Sequence, residues 1–205
     1  MFLSHQKLPL FTLLYLLLFS FISAKASSVD SLKIVMNALE TLHKSGKLDS
    51  NGKLNLGRVY FYLAVEDKDI LEKGEKYFKL MGNEKKAESA AYLAALEAIR
   101  AKNAIWPMDK WTIANSALSK MDQVVDANPD NIEVRFIRAS TCYYLPFFFN
   151  RKDQVKSDFV ILAQLIPVRY SNYPTHLIRN ISSFILKSNY LPEKNAESLR
   201  KFLQG

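Results

Sequence analysis

Apolar residues along this chain recur at three- and four-residue steps, the spacing of helices that bury one face. No stretch alternates in the way a half-buried strand requires. Residues Val29 to Lys44 carry Leu32, Val35, Met36, Leu39 and Leu42 on one side, with Ser28 or Asp30 placed to cap. Ser45 to Gly57 is rich in Gly, Asn, Ser and Lys and is expected to be a loop. A helix pair follows. Leu56 to Val65 turns Val59, Tyr60, Leu63 and Ala64 inward, and Asp69 to Leu80 does the same with Leu71, Gly74 and Phe78. Glu84 to Ala104, full of Ala, Leu, Glu, Lys and Arg, has the highest intrinsic helix preference in the chain. Trp106-Pro107 is expected to break it, and a helix from Lys110 to Ala127 to follow.

The stretch from Ala127 to Pro167 has the clearest punctuation. Asn128-Pro129-Asp130-Asn131 is a turn cluster in which Asp130 or Asn131 can cap the next helix. Ile132 to Leu145 holds no Gly or Pro, and Val134, Ile137, Thr141, Tyr144 and Leu145 mark its apolar face. Pro146 and the run Phe147-Phe148-Phe149 end it. A second helix opens near Asp153, buries Val155, Phe159 and Leu162, and is expected to stop at Pro167. Helices from Thr175 to Ser188 and from Glu193 to Leu203 complete an all-α chain of about nine helices, stacked as helix-turn-helix pairs.

Within Ala127 to Pro167 the chain resembles a divergent tetratricopeptide repeat, a 34-residue helix pair whose second helix carries Ala-x3-Phe before a Pro. Asn128-Pro129-Asp130-Asn131-Ile132-Glu133 is similar to the start of such a repeat, and Leu145 falls where its first helix ends. On the second helix Val155 takes the small-residue place, and Phe159 and Pro167 match directly. About four residues, Pro146 to Phe149, are inserted between the two. The first helix departs from the family: Arg135, Arg138, Ala139 and Cys142 replace its Trp, Leu, Gly and Tyr. The resemblance implies a right-handed α-solenoid whose first helices line a concave groove. It also implies that Glu133, Phe136, Ser140, Tyr143 and Tyr144 face that groove and contact a protein or peptide partner.

The N-terminus changes the picture of where this fold works. Lys7 precedes an apolar run, Leu8 to Ile22, that is shorter than the roughly 20 residues of a membrane span. Ala24-Lys25-Ala26 then supplies the small-x-small pattern of a signal-peptide cleavage site. Residues 1–26 therefore read as a secretory signal and residues 27–205 as one exported domain, periplasmic or secreted. The only cysteine, Cys142, is far from the cleavage site, so a lipoprotein is not expected, and one cysteine forms no internal disulfide.

Formal net charge is +8, from 28 Lys and Arg against 20 Asp and Glu. It falls to +6 once Lys7 and Lys25 leave with the signal. The excess is spread along the chain with no basic block, which argues against nucleic acid as a partner. Asn180-Ile181-Ser182 is a glycosylation sequon.

Candidate chemistry is sparse. No nucleophile elbow, phosphate-binding Gly loop or paired-His metal motif is present, so no catalytic residue, metal ligand or cofactor is expected. Asp49-x-Asn51-Gly52 is only a fragment of a calcium-loop pattern. His43 and His176 read as surface residues. Glu66, Asp67 and Asp69 sit at a helix junction, where their charge suits a helix N-terminus. Arg135 and Arg138 lie one turn apart where apolar side chains belong, and an unpaired buried charge costs about several kcal/mol. Asp158 on the facing helix is the expected partner of Arg138, making an internal ion pair; the alternative is an anion site built on the two arginines. Three functional readings stay open. One is a non-enzymatic exported scaffold or assembly factor that binds a protein or peptide. Another is a small-ligand or anion-binding protein, or helical enzyme, using Arg135 and Arg138. The third is a membrane-surface protein touching lipid through Phe147, Phe148 and Phe149.

Overall fold

The computed structural model describes residues 29–82 and 84–204. The signal-peptide reading of residues 1–26 lies outside them. Among the described residues the chain is all-helical, with nine α-helices and no strand: α1 (residues 29–44), α2 (Ser50–Ala64), α3 (Lys68–Met81), α4 (Lys86–Asn103), α5 (Pro107–Ala127), α6 (Ile132–Tyr143), α7 (Lys152–Arg169), α8 (Thr175–Lys187) and α9 (Glu193–Gln204). Contacts divide the chain into two compact units that meet in sequence at Ile70 and Leu71, inside α3.

The first unit holds α1, α2 and the opening turn of α3. The expected loop of Ser45 to Gly57 is half helix. Asp49 accepts a bond from Gly52 N–H at 2.7 Å and so starts α2 well before Leu56. This cap outweighs the helix-breaking cost of Gly52 and Gly57. On α1 only Met36 of the expected stripe is fully buried, while Val35 and Leu42 stay exposed. Tyr60, buried on α2, donates to Glu40 on α1 at 3.0 Å. At the helix junction the Asp67 carboxylate accepts from Asp69 and Ile70 N–H at 3.0 and 3.2 Å, capping α3.

In the second unit α4 pairs with α5 and α6 with α7, and α6 packs on both members of the preceding pair. Ala91, Ala94 and Ala95 on α4 and Ala114 and Ala117 on α5 are all buried, so small side chains let the two axes approach closely. Pro107 does not delay α5. It sits in the first turn, where its missing N–H has no intrahelical partner to lose, and the helix starts three residues before the expected Lys110. Pro167 likewise fails to stop α7, which runs to Arg169. So close to the C-terminus, the proline removes a single backbone bond, and Tyr170 N–H still closes the helix on Ile166 C=O.

Phe159, Leu162 and Ile166 of α7 meet Ile178, Ile181 and Ile185 of α8 and Leu199 of α9 in one apolar core. Phe159 is fully buried at its centre. Phe159→Ala should therefore cost about 3–5 kcal/mol of unfolding free energy, read as a lower midpoint in urea denaturation at unchanged slope.

Candidate functional site

The most concentrated polar chemistry lies between α5, α6 and α7. Arg135 and Arg138 stand on successive turns of α6, and both turn onto Asp158 of α7. Arg135 Nη1 donates to Asp158 Oδ1 at 2.7 Å. Arg138 grips the same carboxylate with two bonds, Nε to Oδ2 at 3.0 Å and Nη2 to Oδ1 at 2.7 Å. Asp158 is 1% exposed and each arginine 7%. The expected Arg138–Asp158 bridge is present, and Arg135 joins it. The rest of the Arg135 guanidinium donates to Pro129 C=O, Nη2 at 2.7 Å and Nε at 3.3 Å, tying the cluster to the turn that starts α6.

The network continues outward. Arg138 Nη1 reaches Asp122 of α5 at 3.3 Å, and Arg151 Nη1 reaches the other Asp122 oxygen at 2.8 Å. Gln154 bridges them, donating to Asp122 at 2.9 Å and accepting from Arg151 at 2.7 Å. Burial alone would lower the Arg138 pKa, but the hydrogen bond and charge of Asp158 outweigh it, and the value is raised. Both arginines are thus aimed at protein carboxylates. Neither lines the cleft of about 730 Å³ between α3, α4 and α5 or the one of about 300 Å³ at the α5–α6 turn. The geometry is that of an internal clamp and not of an anion site.

Cys142 sits beside this clamp, its Sγ 3.8 Å from Gln154 Oε1. Burial, opposed by the charge of Arg151, pushes its thiol up to about 12 from an ordinary 9.0. Among the described residues no group of three or more His, Cys, Asp or Glu side chains is placed to hold a metal ion.

The residues expected to face a groove are largely covered. Glu133 is buried, because the first turn of α6 packs onto α4. Its carboxylate accepts from Tyr92 O–H at 2.7 Å, and neighbouring Asn131 donates to Glu88 at 3.0 Å. Phe136 and Tyr143 each meet Phe184 of α8 edge-on at 5.4 Å, and Tyr143 also touches Tyr190. Ser140 Oγ is half-buried and turns back to Ile137 C=O at 3.2 Å. Tyr144 alone of the five stays open, at 74% exposure. The resemblance placed these side chains outward; α4 covers Glu133, and α8 partly covers Phe136 and Tyr143.

An open cleft lies elsewhere, between α3, α4 and α5, with a volume of about 730 Å³. Ala90, Leu93 and Ala94 of α4 with Ile113 and Val124 of α5 make its apolar lining. Ion pairs stand at its sides: Arg100 with Glu75 at 2.6 Å and Lys120 with Glu97 at 2.6 Å. In sequence these α4 residues stand out only for their high helix preference. The signal available was their continuation, since positions 90, 93, 94, 97 and 100 share one helical face. A second cleft of about 300 Å³ at the α5–α6 turn is crossed by Arg169 and Asp130, 2.6 Å apart.

The Phe147-Phe148-Phe149 insert forms a 3-10 turn closed by Asn150 in the left-handed region, φ 52°. Phe147 is 94% and Phe148 55% exposed, whereas Phe149 is partly covered by stacking on Trp111 at 5.1 Å.

The chain matches no protein-family model, no curated protein and no solved structure.

Asp158→Asn should strand two buried guanidinium charges and lower stability by about 3–5 kcal/mol, read by thermal melting; an unchanged melt would overturn the clamp. The Cys142 thiol should stay inert to thiol reagents until the chain unfolds. Its raised pKa means that the unfolded chain gives up this proton first. The resulting stability is complete below about pH 9 and drains away as pH rises toward about 12. Cys142→Ala should flatten that part of the alkaline loss in unfolding titrations.

Proposed function

We propose that this chain is a non-enzymatic, exported helical-pair protein, similar to a tetratricopeptide array, that holds a segment of a protein partner as a scaffold or assembly factor. The observation that carries the reading is the cleft between α3, α4 and α5. It is open, its lining is apolar, and its sides carry both signs of charge. From Ala90 to Arg100 the α4 face extends about 15 Å. A short helix or extended peptide of that length fits an apolar strip flanked by charges that set its register. Neighbouring helices pair, and α6 packs on both α4 and α5, the kind of contact that a stack of helix pairs uses to bury a continuous core. The groove proposed here differs from the one the resemblance alone implied, of whose residues Glu133, Phe136 and Tyr143 are taken up by internal packing.

An anion-binding or enzymatic role for Arg135 and Arg138 is not favoured, since both are engaged with Asp158. Export rests on the apolar run of residues 8–22 and the Ala24-Lys25-Ala26 pattern.

A photo-crosslinking side chain at Leu93 tests the reading. A discrete crosslinked protein should form from position 93 and not from exposed Lys187, and Val124→Glu should abolish it without changing the melt. Equal labelling from both positions, or none, would sink the proposal.

A further inference from the structure

Two segments far apart in sequence meet at one end of the α5 helix. The α4–α5 turn presents Ile105, Trp106 and Met108, which are 87%, 69% and 73% exposed. Trp111 follows Met108 by three residues and so lies on the same helical face. It stacks on Phe149 and stands 6.1 Å from Phe148, which joins the Phe147–Phe149 insert to the turn. The two segments thereby form one projecting aromatic surface and not two scattered exposures. Monomeric proteins rarely leave such large apolar side chains contiguous and open without a use.

We propose that this tip docks on the surface of a phospholipid bilayer, a role independent of the cleft between α3, α4 and α5. Three observations select lipid over a protein partner or a second copy. The surface projects from helix ends and lines neither of the clefts, so it suits insertion better than enclosure. Its side chains are Trp, Phe, Met and Ile, the apolar and amphipathic types that settle at the level of lipid headgroups. Exposed Lys102, Lys110 and Lys152 flank it and outnumber Asp109 and Asp153, in a chain of net charge +8. Lys152 follows the Phe147–Phe149 insert by three residues, and its ammonium lies over the Tyr190 ring, 5.6 Å from the centroid. Lysines so placed meet anionic headgroups while the aromatics enter the interface. Among the described residues no helix is long and apolar enough to cross a membrane, so the contact is interfacial.

The chain supplies its own reporter, because its only two tryptophans, Trp106 and Trp111, both lie on the tip. The experiment adds vesicles of phosphatidylcholine with phosphatidylglycerol, and of phosphatidylcholine alone, to the full chain and to a chain starting at Ser27. Tryptophan emission should shift to the blue in both chains and be quenched by lipids brominated in their acyl chains. The shift should be stronger with the anionic lipid and weaker at high salt. Phe147→Ser with Phe148→Ser, two exposed positions that leave the core untouched, should lower vesicle partitioning about tenfold or more. Quenching confined to the full chain would assign binding to the apolar run of residues 8–22 and overturn the proposal. A blue shift that grows with protein concentration and needs no vesicles would overturn it in favour of contact between copies. Unquenched emission in both chains would overturn it outright.

Discussion

A buried carboxylate shared by two arginines constrains the second unit. Asp158 gains its acceptor bonds only when α7 lies against α6 with Arg135 and Arg138 opposite it. Sliding α7 by one turn, about 5.4 Å, would bury the Asp158 carboxylate without its arginines and leave Arg138 only Asp122 and Arg135 only the Pro129 C=O. Apolar side chains of similar size could hold the helices together as firmly, because desolvation offsets much of the attraction. What they could not do is reject the wrong register. Pro129 C=O and Asp122 extend the same constraint to the turn before α6 and to α5.

That constraint decides which side chains remain for function. With α6 held between its neighbours, its first turn buries Glu133 against α4 and its later turns bring Phe136 and Tyr143 onto α8. Much of a face that a simpler array would expose is thereby partly covered. The same arrangement leaves the α4 face open between α3 and α5, and it brings the insert after α6 onto Trp111. The cleft and the aromatic tip thus use different surfaces of one unit. A protein that grips a partner in the cleft while the tip rests on lipid would hold that partner near a membrane surface.

Much of the architecture was legible in sequence. Helical periodicity, the turn cluster before Ile132, and the buried Val155, Phe159 and Leu162 all have local causes that survive in the fold. The boundaries that moved did so for reasons equally local. Asp49 caps α2 ahead of two glycines, Pro107 sits where a proline costs nothing, and Pro167 lies too near its helix end to break it. Arg138 and Asp158 were legible as a pair because a charge at a core position needs a counter-charge, and the facing helix carried one at the right height.

Spacing along the chain therefore determined the helices, most of their inward faces and the demand for a buried ion pair, since each depends on residues within a few turns or on one adjacent helix. Tertiary structure alone decided which outward faces stay outward. Whether Phe136 meets solvent or Phe184, and whether Phe149 finds Trp111, depends on how helices distant in sequence stack. Helical periodicity reports that a side chain leaves its own helix on a given side; it carries no information about what stands there.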